Sequence, residues 1–154
     1  MRGKLGRVWG AMTLCLLLLL LPQLRPGPSS ASLEIAVSVD APAEVDADGD
    51  LVASVDITEV TDLDAFQFDV SYDADVLEVT DVTAGNVGGT AVPIDAWGEV
   101  AQGRIRVIGN VPGVAGVNGA GYLAAIHLHV VGSSGDASAI ALFRGLLGDK
   151  YAQE

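Results

Sequence analysis

After residue 32, apolar and polar residues alternate along most of this chain with a period of two. Leu33, Ile35, Val37 and Val39 alternate with Glu34, Ala36 and Ser38 and predict a first strand. Leu51, Ala53, Val55 and Ile57 form the inward face of a second. The sharpest pattern runs from Leu63 to Val79. Phe66, Phe68, Val70 and Tyr72 fall on one face of a third strand, and Ala65, Gln67, Asp69 and Ser71 on the other. An acidic turn follows, then a fourth strand from Val76 to Val82. Successive strand residues point to opposite sides of a sheet, so this alternation marks half-buried strands. Ala91 to Ala96 predicts a short fifth strand and Arg104 to Asn110 a sixth. Leu123 to Val131 predicts a late strand with Ala124, Ile126, Leu128 and Val130 inward and Ala125, His127 and His129 outward. Ala139 to Phe143 is the last candidate. Asp46-Ala47-Asp48-Gly49-Asp50 and Gly85 to Gly89 read as turn and loop, because Asp and Gly tolerate turn geometry. Val111 to Gly121 holds four glycines and a proline and reads as a loop with room for one short strand. No helix of useful length and no internal repeat is visible. Short strands with regular turn signals predict an all-β fold, an antiparallel β-sandwich of about eight to nine strands.

The start of the chain follows a different pattern. Arg2, Lys4 and Arg7 precede an apolar run from Val8 to Leu21 that ends in six consecutive leucines, and Pro22 breaks it. Ser29-Ser30-Ala31 supplies the small residues a signal peptidase reads. Residues 1–31 are therefore expected to be a secretory signal peptide, and residues 32–154 the mature domain, secreted and free of the membrane after cleavage. An uncleaved anchor is the alternative, but the run is shorter than the roughly 20 residues a spanning helix needs. Cys15 does not read as a lipidation site, because Leu14 before it is not small.

Removal of that segment alters the charge and the redox chemistry. Eight basic residues less Arg2, Lys4, Arg7 and Arg25 leave four against 20 acids, a formal charge of −16. Such a surface repels nucleic acid and anionic membranes. The single cysteine leaves with the leader, so no disulfide is expected despite an oxidising destination. The remaining 123 residues suit one sandwich domain that folds by burial alone.

The strand from Phe66 resembles a family signature. Phe66-Gln67-Phe68, Tyr72-Asp73 and Val76-Leu77-Glu78 follow the "GFQF-x-x-x-YD-x-x-VLE" core of cohesin modules nearly position for position. The Gly49-Asp50 turn, Gly103-Arg104-Ile105-Arg106-Val107 and Gly121-Tyr122-Leu123-Ala124-Ala125-Ile126 occur in the cohesin order, the last resembling their "G-x-LA-x-I-x-F-x-V" strand. The resemblance implies a jelly-roll sandwich that is not an enzyme but docks dockerin-bearing secreted proteins, with calcium carried by the dockerin and no cofactor on this chain. It implies a docking face on the sheet of strands three, five, six and eight. With the Leu123 strand taken as the eighth, the partner-binding residues would be Ala65, Gln67, Asp69, Arg106, Ile108, Ala125, His127 and His129. Cohesins also continue past the position of Gly148 into a final strand that pairs with the first. That strand is expected to be missing here, in a truncated or fragmentary sequence, which would leave the Leu33 strand as an exposed edge.

Other chemistry is weakly signalled. His127 and His129 have a spacing that can share a metal, but no third ligand is near in sequence, so solvated or partner-facing histidines are expected. Asp46, Asp48 and Asp50 imitate a calcium loop, yet Leu51 and Ile57 stand where it needs glycine and an acid, so a solvated turn is expected. Trp97 is a candidate sugar platform without the aligned aromatics such platforms use. A carbohydrate-binding sandwich, with polysaccharide as direct ligand, is the second reading, and a cell-surface adhesive or structural domain the third. No carboxylate pair stands out for glycoside hydrolysis, and no Gly-x-Ser-x-Gly elbow accompanies the histidines.

Overall fold

The computed structural model describes residues 34–113 and 115–151; the leader-like segment lies outside them. Eight strands form: β1 (Val37–Asp40), β2 (Asp50–Ser71), β3 (Leu77–Val87), β4 (Thr90–Val92), β5 (Ala96–Ala101), β6 (Arg104–Asn110), β7 (Val117–Val130) and β8 (Ala141–Asp149). All pairings are antiparallel, and no helix occurs among the described residues.

The expected second and third strands are one strand of 22 residues. Thr58 to Asp64 contains no Gly or Pro to break the chain, and Val60 and Leu63 are buried within it. β2 bends there instead, with register shifts on both sides of Val60 and Asp62 at φ 57°. Asn118 Oδ1 on β7 accepts the Asp62 N–H at 2.9 Å. The bend carries β2 from one layer to the other. Its first half lies between β1 and β7, and β7 continues to β3 and β4. Its second half lies between β8 and β6, and β6 continues to β5.

The core fills the space between the layers. Ala53, Val55, Leu123, Ala124 and Ile126 are buried from the first sheet, and Phe66, Phe68, Val70, Ile105 and Val107 from the second. Each large side chain buried this way contributes about 1.5–3 kcal/mol over exposure. The Phe66 and Phe68 rings stack with centroids 5.9 Å apart. An all-β sandwich is therefore what the alternation builds.

Several boundaries differ from expectation; β3 runs on to Val87, through the start of the expected Gly85–Gly89 loop, and pairs there with the short β4. The glycine-rich segment ends in strand from Val117, because Gly119 at φ 117° and bare Gly121 let β7 lie close against the β3 backbone. β5 starts at Ala96 rather than ending there. β8 extends six residues past Phe143, to Asp149, and pairs with β2, whereas the one strand partner of β1 among the described residues is β2.

Candidate functional site

The outer face of the second sheet combines exposed apolar groups with a buried ion pair. Directly opposed residues in an antiparallel pair share a side of the sheet. Gln67 stands opposite Ile108 on β6 and Leu146 on β8, and Asp69 opposite Arg106 and Phe143. All of these point away from Phe66, Phe68 and Val70, which are buried. Ile108 is 38% exposed, Phe143 42% and Leu146 52%. Ala65, Gln67, Ile108, Asn110, Leu146 and Gly148 border a shallow hollow of about 300 Å³.

Beside the hollow, Asp69 is 1% exposed. Arg106 Nε donates to its Oδ1 at 2.7 Å and Nη2 to its Oδ2 at 3.0 Å. These hydrogen bonds hold the Asp69 carboxyl below its usual range against the opposing effect of burial, and the charges of Arg106, Arg104 and Arg144 act in the same direction. The Asp69 carboxylate is buried, and both of its oxygens accept from Arg106. Asp69 thereby fixes Arg106 and stiffens the floor of the face.

Phe143 lies within reach of two guanidinium groups, with Arg104 4.4 Å and Arg144 5.3 Å from the ring centroid. Two steps along β2, from Gln67 to Asp69, oppose three steps on β8, from Leu146 back to Phe143. The extra residue makes a bulge, and Arg144 takes φ 57° within it. Bulges re-aim side chains, and this one turns both Phe143 and Leu146 outward.

The expected site residues divide between two faces. Ala65, Gln67, Asp69, Arg106 and Ile108 belong to the second sheet. Ala125, His127 and His129 do not: β7 pairs with the first half of β2 and with β3, so these three are on the outer side of the other layer. The strand beside Phe66 to Val70 is β8. The Leu123 strand was placed one position too late because the strand inside residues 111–121 is the start of β7, not a separate element. Sequence reasoning missed Phe143, Leu146, Arg104 and Arg144. The doublets Leu142-Phe143 and Leu146-Leu147 around Arg144-Gly145 were the available sign of a bulged strand.

On the first sheet the histidines separate. His127 Nε2 lies 3.2 Å from Thr83 Oγ1. His129 Nδ1 lies 2.9 Å from Asp50 Oδ1 and its Nε2 3.3 Å from Asp48 Oδ1, and the Asp50 hydrogen bond raises its pKa. Among the described residues no group of three or more His, Cys, Asp or Glu has a geometry suited to a metal ion. The acidic turn is closed by a hydrogen bond from Gly49 N to Asp46 O at 3.0 Å, with Asp48 at φ 62°.

Known proteins share this architecture. A cohesin module from a family 33 glycoside hydrolase of Clostridium perfringens ATCC13124 aligns with TM-score 0.66 and 16% identity, over 77% of this chain and 86% of that one. The sixth cohesin of Acetivibrio cellulolyticus scaffoldin B, solved with a dockerin, gives TM-score 0.63 and 18% identity over 77% and 89%. A non-cellulosomal cohesin of the archaeon Archaeoglobus fulgidus gives TM-score 0.59 and 22% identity over 75% and 80%. No curated protein matches the chain. The sequence model of the cohesin domain matches residues 35–154, the whole of the sandwich described above, and the chain belongs to the cohesin domain family.

Proposed function

We propose that this protein is a non-catalytic docking module that binds a calcium-loaded dockerin of a secreted protein on the outer face of β8, β2, β6 and β5. The observation that carries this reading is the exposed apolar set Ile108, Phe143 and Leu146 around Gln67 on one face of the sheet. A sheet face with a shallow hollow suits a helix laid across it, and Gln67 keeps hydrogen-bonding capacity at its centre. The dockerin partner seen with the Acetivibrio module supports the same partner class for this one. Secretion, through the leader-like residues 1–31, and work in polysaccharide degradation belong to this proposal.

Direct polysaccharide binding is less well supported. Trp97 opposes inward-pointing Val107, so it sits on the other side of β5 from the outward positions and does not align with Phe143.

The test is calorimetric titration with dockerins from secreted proteins of the same source. Binding is expected in calcium and is lost in EDTA. Leu146→Ala weakens it about tenfold or more, as truncation of a central apolar anchor does. His127→Ala leaves it unchanged. Absence of dockerin binding, or an equal loss from His127→Ala, would sink the reading.

A further inference from the structure

Of the four basic residues after residue 31, three meet on one face. Arg104, Arg106 and Arg144 gather around Asp69 and Phe143, while Lys150 pairs with Asp62 at 3.2 Å. The same region carries 20 acids in all, Asp69 among them. Among the outward positions Ala65, Gln67, Asp69 and Ser71 and those paired with them, the one acid is Asp69 itself, and Arg106 already occupies both its oxygens. Asp95 stands at the rim of the hollow.

Arg104 and Arg144 form no ion pair among the described residues. Both instead lie against the ring of Phe143. Arg104 Nε is buried and donates to no acceptor. Two like charges share one ring, and a buried donor is left unsatisfied. An incoming carboxylate would offset the two like charges.

We infer that this face selects an acidic protein partner, one whose contacting helix carries a carboxylate next to an apolar side chain. The inference rests on the docking reading above and names the chemistry of its partner. The Phe143 and Leu146 positions oppose sites two residues apart on β2, about 7 Å along the strand. Residues four apart on a helix rise about 6 Å. One helix face can therefore set a carboxylate on Arg104 and Arg144 and an apolar group in the hollow beside Leu146 and Ile108. The acidic remainder of the molecule repels the same helix, so the charge pattern sets orientation as well as affinity.

The experiment uses two helical peptides as probes, added to the isotopically labelled protein and followed by nuclear magnetic resonance. One carries Glu four residues before Leu; the other carries Lys in place of each Glu. The acidic peptide is expected to shift the amides of residues 104–108 and 141–147 and to bind about tenfold more tightly than the basic one. Raising salt from about 50 to 300 mM narrows that preference severalfold. Arg104→Gln combined with Arg144→Gln removes the preference, and Lys150→Gln keeps it. Equal binding of the two peptides, shifts confined to residues 122–129, or displacement of the acidic peptide by polygalacturonate would each overturn the inference. The wild-type comparison alone decides it if the double variant folds poorly. A dockerin that binds this face without regard to charge overturns the acidic preference and leaves the docking reading standing. An acid-selective face that takes no dockerin does the reverse.

Discussion

His129 lies between two carboxylates, and its protonation is coupled to folding. The hydrogen bond to Asp50 comes first in raising its pKa, desolvation opposes it, and the charges of Asp50 and Asp48 add to the rise. A group whose folded pKa is raised stabilises the fold fully below its unfolded value, about 6.5, and stops doing so as pH passes through the raised value. His129→Gln is thus expected to melt below the wild type at about pH 6, with the gap closing as pH rises through the raised value. Thermal melts across that rise in pH check this, and a pH-independent gap would refute it. The pair is largely solvated, so the effect is small.

At the scale of elements, the turn between β5 and β6 shows how one residue serves two strands. Gly103 is buried at φ 68°, and its carbonyl accepts the Tyr72 N–H at 2.8 Å. A Cβ there would run into the Tyr72 carbonyl. Gly103→Ala combines left-handed strain with that clash and is expected to cost about 1–3 kcal/mol, read as a shift in the urea midpoint. A midpoint within error of the wild type would show that the turn relaxes freely. The strands themselves were legible wherever one face is buried and the other wet, as in Leu51 to Ile57, Phe66 to Tyr72 and Leu123 to Val130. Their partners were not, because pairing joins residues as distant as Val70 and Leu142 and nothing local announces it. The family pattern supplied Gln67 and Ile108 correctly as outward positions of one sheet. It misplaced His127 and His129 because β2 fuses two expected strands and β7 absorbs another, which shifts the count. Phe143 and Leu146 escaped notice because the bulge at Arg144 changes the phase of alternation within β8.

For the whole molecule, charge is the dominant surface property. A formal −16 on residues 34–154 makes the compact state repel itself. At 0.1 M salt that repulsion is largely screened beyond about 10 Å. The melting temperature at pH 7 is therefore expected to rise by roughly 2–5 °C between about 20 and 300 mM sodium chloride. A falling temperature would mean that the few ion pairs outweigh the general repulsion. The same addition of salt weakens an acidic partner on the arginine face, so stability and affinity should move in opposite directions. The long, bent β2 bears on how the molecule comes into being. Its first half waits for β7 and its second half for β6 and β8, so a strand complete by Ser71 finds its last neighbour at Ala141–Asp149. During synthesis on the ribosome most of the core-forming face of β2 has emerged long before anything exists to cover it. Such long-range pairing is expected to slow assembly, and the acidic charge of the growing chain helps to hold it apart from its neighbours until β8 arrives.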